Sequence, residues 1–250
     1  MQIEISDVFR HLLSHGVRGT VYHGIFRISE MWNERYFSIS TSEIVEPRRL
    51  GINNPECNWY VPISYPSFKS VMKHIEIERG QDVFIDFGAG KGRAVVLAST
   101  FPFKRVIGVE LVPELAAMAR ENLRRASKRL RCQQVEIVTA DAPEYSLPDD
   151  TTIIHFFNPF EGEILSRVAH NIKASLLKSP RRLTIVWGRE PRKFERVLSD
   201  GNSIPNKWIM NRQDVVWPRW VDLLGEYNPR LNRYRIYRIY PQGDLLRARF

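Results

Sequence analysis

Three acids, set against a cluster of glycines, mark out the chemistry this chain could do. The run Asp82-Val-Phe-Ile-Asp86-Phe-Gly88-Ala89-Gly90-Lys-Gly92-Arg93 passes from strand formers to an acid, then to glycines at alternate positions, then to helix formers. A backbone with so few Cβ atoms turns sharply and lets a ligand come close. The helix expected next, Arg93 to Thr100, offers unpaired N–H groups at its start. Together these features read as a nucleotide-type cofactor site. Dinucleotide sites prefer G-x-G-x-x-G. Here Arg93 takes the place of the third glycine and Gly92 falls one residue earlier, giving D-x-G-x-G-x-G. Without a ligand, the same residues would make a tight strand-to-helix turn. A second β run, Arg105 to Glu110, ends in an acid 18 residues past Gly92. In a βαβ unit an acid so placed accepts hydrogen bonds from two ribose hydroxyls and repels a 2′-phosphate. Standing alone Glu110 would read as a solvated strand-end acid; the glycine loop at that distance favours the ribose.

Two further β runs follow. Val135 to Ala142 ends in Asp141-Ala142, and Thr151 to Phe160 ends in Asn158-Pro159-Phe160. Open α/β sheets bind ligands in the crevice beyond the carboxyl ends of their strands, where these polar ends would converge. Asn158-Pro159 is also an ordinary strand-ending turn signal.

Taken in order, these segments resemble the class I S-adenosylmethionine-dependent methyltransferases over residues 82 to about 187. D-F-G-A-G-K-G-R is similar to that family's first motif, G-V-E-L to its second, T-A-D-A to its third and F-F-N-P-F to its fourth. The resemblance implies an α/β fold: a Rossmann-like, doubly wound sheet of seven strands, mostly parallel, with an antiparallel C-terminal strand. It implies S-adenosyl-L-methionine as cofactor, with Asp86, Gly88 and Gly90 around its methionine end, Glu110 on the ribose, Asp141 and Ala142 beside the adenine, and Asn158 facing the methyl group. Ala89, Gly92 and Arg93 of the same loop, Leu111 after Glu110, and Tyr60 complete the implied cofactor set. The element Tyr60-x-Pro62-x-x-Tyr65 is similar to one in a bacterial subgroup and in lysine methyltransferases distantly related to the histone Dot1 type.

Methyl transfer from a sulfonium is a one-step displacement, so the protein chiefly aligns an acceptor lone pair. The Asn158 side-chain carbonyl and the backbone carbonyl near Pro159 could accept from an amine N–H, and Phe160 could stack on a flat group or surround a cationic methylamine. Families that methylate exocyclic or amide nitrogens carry a second proline in this motif. Its absence here leaves lysine or another amine open. A lysine, with an ordinary pKa of about 10.4, must first lose its proton; Tyr60, Tyr65 and Glu161 are candidate helpers, and Tyr65 joins Asn158, Pro159 and Phe160 in the expected catalytic set.

The chain has 250 residues, enough for one α/β domain with a sizeable core. A cap or lid is expected over residues 1–58 and the methyltransferase domain over 59–250. Ile3, Val8, Leu12 and Leu13 suggest a first helix, and Tyr22, Phe26, Met31, Trp32, Tyr36 and Phe37 either pack that cap onto the sheet or shape an acceptor pocket. Helices are expected over Pro66–Ile77, from Pro113 to Arg125, and over Glu161–Leu177; further strands are expected over Arg182–Trp187, Trp208–Trp217 and, half-exposed, over Arg233–Tyr240. Two cysteines without ligand spacing and scattered histidines predict no metal and a reducing compartment. The acidic N-terminus lacks signal-peptide character and no apolar run reaches membrane length, so a cytoplasmic protein is expected. The net charge is +9, with arginine-rich groups after the second strand, around Lys178–Lys193 and around Arg230–Arg238. Basic patches interleaved with aromatics can bind nucleic acid, although such runs are more often the solvated face of a helix. Three functions are thus in view: N-methylation of a protein amine, methylation of a small molecule with the same cofactor, and a nucleic-acid-binding module with a vestigial cofactor site.

Overall fold

The apolar runs that end in acids become the centre of a seven-stranded sheet in the order β3-β2-β1-β4-β5-β7-β6. The computed structural model describes residues 25, 27–188, 221–227 and 234–239. Strands β1 (Val83–Phe87), β2 (Arg105–Glu110), β3 (Val135–Thr139), β4 (Ile153–Phe157) and β5 (Leu183–Gly188) run parallel, while β7 (Tyr234–Ile239) is antiparallel to both β5 and β6 (Val221–Tyr227). β1, β2, β4 and β5 are covered on both faces, which is why they read as near-continuous apolar runs instead of alternating ones. The chain reverses its winding between β1 and β4. Asp86 sits there in register with Gly108 on β2 and His155 on β4.

Parity along β1 divides the core. Phe84 joins the cluster with Phe68, Val71, Val95 and Ala119, whereas Val83, Ile85 and Phe87 join the one with Leu165, Val168, Ile172 and Trp187. The first face is covered by α2 (Tyr65–Met72), α3 (Arg93–Ala98) and α4 (Pro113–Ala126), and the second by α5 (Gly162–Lys178). An N-terminal helix, α1, spans residues 27–37. Local signals set several boundaries. Ser64 caps α2 through the Ser67 amide, and α4 begins with Pro113 and carries Arg124 and Arg125 in its last turn.

Some expected elements differ. The helix expected from Pro66 to Ile77 starts at Tyr65 and stops at Met72. β3 stops at Thr139, so Asp141 belongs to the loop that enters a 3₁₀ turn at Ala142–Glu144. β7 is not half-exposed: Tyr234, Arg235, Ile236, Tyr237 and Ile239 are all buried, because β7 lies between β5 and β6. The helix expected near Ile3–Leu13 and the strand expected over Trp208–Trp217 lie outside the described residues. The sixth strand is Val221–Tyr227.

Candidate functional site

Beyond the carboxyl ends of β1, β2 and β4 lies a cleft that is open to solvent. Its floor is the glycine loop, with Asp86, Gly88, Ala89, Gly90, Arg93, Glu110 and Leu111; Asp141 and Ala142 form one side and Asn158, Pro159 and Phe160 another. Tyr60 and the apolar residues Val45, Pro47, Leu50, Ile52 and Ile63 close it from the N-terminal segment. Of the expected site residues and candidate helpers, Gly92, Tyr65 and Glu161 do not line it. Tyr65 is fully buried beneath Arg93, whose guanidinium lies 4.4 Å from the ring centre. Its hydroxyl is pushed up to about 12 by that burial.

The glycines serve a steric purpose more than an amide-donating one. Gly88 and Gly90 have φ of +72° and +56°, and a Cβ on either would overlap Pro159 or the Tyr60 ring respectively. The loop amides are used internally. Gly88 and Ala89 both donate to the Val109 carbonyl (2.9 and 3.0 Å), Gly92 donates to the Ala89 carbonyl (2.8 Å), and Gly90 donates to Glu110 Oε2 (2.7 Å). The expected cradle of free glycine N–H groups is therefore replaced by a self-bonded loop packed tightly on the cleft floor.

The polar character of the cleft comes from acids. Glu110 is 6 % exposed and its second oxygen, Oε1, accepts from the Val112 amide at 2.9 Å. Burial holds its carboxyl above the usual range, against the pull of the Val112 and Gly90 amides. Asp86 is buried, and its Oδ1 lies 2.7 Å from Nδ1 of the fully buried His155. Asp141 is exposed at the rim. Although the chain carries a charge of +9, Arg93 is the one basic residue among the described lining residues. Its guanidinium is turned away to Glu30, Glu34 (3.2 Å), Thr41 Oγ1 (2.6 Å), Ser42 Oγ (2.9 Å) and the Ile63 carbonyl (2.9 Å). The cleft is thus an acid-lined pocket in a basic protein, suited to a cationic ligand.

After β4 the chain turns through Asn158, whose φ of +52° is rare for a residue other than glycine and is tolerated by asparagine. The N-terminal segment clasps this turn. The Asn58 amide donates to the Pro159 carbonyl (3.1 Å), Cys57 and Phe160 form an antiparallel bridge, and the Glu56 carboxylate accepts the Glu163 and Ile164 amides (2.9 and 3.0 Å) at the start of α5. Two expectations change as a result. The Pro159 carbonyl is already engaged by Asn58, and Phe160 is 6 % exposed and packed edge-on to Phe156, so it is no open stacking platform. Tyr60 points inward as well: its hydroxyl donates to the Thr41 carbonyl at 2.9 Å, and burial raises its pKa.

The residues missed by sequence reasoning are the wall formed by Val45, Pro47, Leu50, Ile52, Cys57 and Trp59. They sit in a short 3₁₀ turn (Pro47–Leu50) and in connecting loops with no period to betray them, and the Val45–Tyr60 and Cys57–Phe160 bridges tie them to the cleft. The aromatics proposed for this task do not supply it. Phe37 is buried in the core, Trp32 and Tyr36 are exposed and stacked on each other, and Tyr22 and Phe26 lie outside the described residues. Among the described residues of the basic groups, Arg124 and Arg125 pair with Glu121, Lys178 with Asp149, and Arg182 and Arg238 with Glu76. Arg181 binds the carbonyls of Thr151, Ser175 and Ser179. Among the described residues no group of His, Cys, Asp and Glu could hold a metal ion, and no helix is long and apolar enough to cross a membrane.

Residues 56–146 match the family model described as histone methylation protein DOT1. Among solved structures the chain is similar to an RNA methyltransferase from Salinibacter ruber in complex with S-adenosyl-L-homocysteine, at 18 % identity, covering 73 % of this chain and 95 % of that one with a TM-score of 0.50. It is also similar to a precorrin-6y C5,15-methyltransferase from Geobacter metallireducens, at 17 % identity over 72 % of this chain and 89 % of that one, with a TM-score of 0.49. No curated protein matches the sequence. Sheet order and glycine loop are those of the class I S-adenosylmethionine-dependent methyltransferase fold, to which the solved structure is similar. Within that class the similarity over residues 56–146 is to the DOT1 type. The cleft suits the cofactor, since S-adenosyl-L-methionine carries cationic groups and the lining includes the carboxylates of Asp86, Glu110 and Asp141.

Proposed function

We propose that the chain methylates an amine nitrogen, with a lysine side chain of a protein as acceptor. The observation that carries this reading is Asn158, held in left-handed backbone at the end of β4 and lining the cleft beside Asp86 and the glycine loop. S-adenosyl-L-methionine, when bound, supplies an electrophilic methyl on a sulfonium. In this reading Asp86 faces the methionine end, Glu110 accepts from the ribose hydroxyls, and Asp141 and Ala142 border the adenine. The Asn158 amide oxygen accepts an N–H of the incoming amine and so points the nitrogen lone pair at the methyl. The apolar wall of Val45, Pro47, Leu50 and Ile52 disfavours the ammonium form of a lysine by desolvation, which favours the neutral nucleophile. Within the expected cap of residues 1–58, the 45–58 stretch frames the acceptor side. The DOT1-type match over residues 56–146 supports a protein acceptor.

A small-molecule acceptor is the second reading. It is favoured by the way Val45–Tyr60 and Cys57–Phe160 pin the N-terminal segment across the cleft and narrow the approach. Incubation with methyl-labelled S-adenosyl-L-methionine and fractionated cell extract separates the two. Label on protein, recovered as methyl-lysine after hydrolysis, is expected. Label confined to the small-molecule fraction would reject the protein acceptor.

A further inference from the structure

We infer that His155 is a positioning residue for cofactor binding: through Asp86 it holds a carboxylate oxygen ready for the ammonium group of S-adenosyl-L-methionine. The inference deepens the reading above and rests on it. His155 on β4 is in register with Asp86 on β1, and the two are joined at 2.7 Å between Nδ1 and Oδ1. The imidazole is wholly buried, stacked on Phe84 (5.9 Å between ring centres, 24° between planes) and met edge-on by Phe68 (5.6 Å, 76°). Its Nε2 is buried without a hydrogen-bond partner. Asp86, by contrast, lines the cleft although it is only 3 % exposed.

An apolar side chain would fill this box at less cost, because it would orphan no polar atom. Nε2 has no protein partner among the described residues to which it could pass a proton. What the imidazole adds is one N–H for Asp86. The proton belongs on Nδ1, because placing it on Nε2 would strand a donor among the rings of Phe68 and Phe84. With Oδ1 engaged, the Asp86 rotamer is fixed and Oδ2 is left for a ligand at the cleft. The ammonium end of the cofactor is the cationic donor group that such an oxygen would take.

The test titrates two ligands calorimetrically: S-adenosyl-L-homocysteine, and 5′-methylthioadenosine, which shares the adenosine but has no ammonium. His155→Leu should weaken the first by about 10- to 100-fold, the range for a hydrogen bond to a charged group. It should leave the second within about twofold, as for sites without shared partners. His155→Asn, whose amide can donate to the same carboxylate, should recover most of the loss. Equal loss of both ligands, or loss of neither, overturns the inference. Nitrogen-15 spectra of the unaltered protein test it without relying on a variant that folds: a proton on Nδ1 supports it and a proton on Nε2 overturns it. If the unaltered protein binds neither ligand, the cofactor reading itself falls, an outcome distinct from the others.

Discussion

Replacing Glu110 with alanine tests the join between the glycine loop and the second strand. Oε2 accepts the Gly90 amide at 2.7 Å and Oε1 accepts the Val112 amide at 2.9 Å, in a side chain only 6 % exposed. Alanine leaves both N–H groups without that acceptor, at about 1–3 kcal/mol each. Removing a buried carboxylate works the other way, since burial is the largest influence on its titration. The carboxylate is, however, already compensated by the two amides it accepts, so the net loss should be about 2–4 kcal/mol out of a typical total of about 5–15. For a domain of this size that lowers the unfolding midpoint by about 4–16 °C. The Gly90 amide also fixes the loop at the point where φ is +56°, so S-adenosyl-L-homocysteine should bind at least about tenfold more weakly. Thermal unfolding followed by circular dichroism, together with calorimetric titration, reads both quantities. A midpoint within about 1 °C of the unaltered protein and an unchanged dissociation constant would refute the reasoning. Glu110→Gln should fall between, because one amide oxygen can serve only one of the two N–H groups.

Three further predictions follow from the same geometry. Since the Glu110 carboxyl is held above the usual range by burial, S-adenosyl-L-homocysteine affinity should weaken as pH falls through that raised value; a titration series at several pH values reads it. Stability runs the opposite way: the folded state keeps the Glu110 proton to higher pH than the unfolded chain does, so this contribution declines as pH rises from the ordinary carboxylate range through the raised value, and Glu110→Gln should abolish both trends. Asn158→Gly keeps the left-handed backbone but removes the amide, so kcat should drop by about 100-fold while cofactor affinity stays unchanged, and a fall in cofactor affinity instead would argue against an acceptor-side role. Arg93→Lys cannot reproduce contacts to Glu30, Glu34, Thr41, Ser42 and the Ile63 carbonyl, and should cost about 3–5 kcal/mol in denaturant unfolding, whereas a loss under about 1 kcal/mol would mean the N-terminal segment is held by other means.

Sequence alone determined the parallel half of the sheet and the acids at its edge. Strand type, glycine spacing and the polar residue that ends each run are local signals, and β1, β2, β4 and β5 fall within a residue or two of where their apolar runs place them. It also placed Asp86, Glu110, Asp141 and Asn158 around one cleft, because parallel strands must present their carboxyl ends on the same side. Only the tertiary structure decided what these residues do to one another. The loop amides could bind a ligand or the strand beside them, and the approach of Val109 and Glu110 settled that in favour of the protein. Arg93 and Tyr65 look like site residues in a linear motif, yet one is drawn away by Glu30 and Glu34 and the other lies beneath it. His155 reads as one apolar-run residue among many until register sets it against Asp86. The wall from Val45 to Trp59 is fixed by the Val45–Tyr60 bridge and by contacts more than 100 residues apart, such as Glu56 with Ile164, and no local period in the chain encodes pairings at that separation.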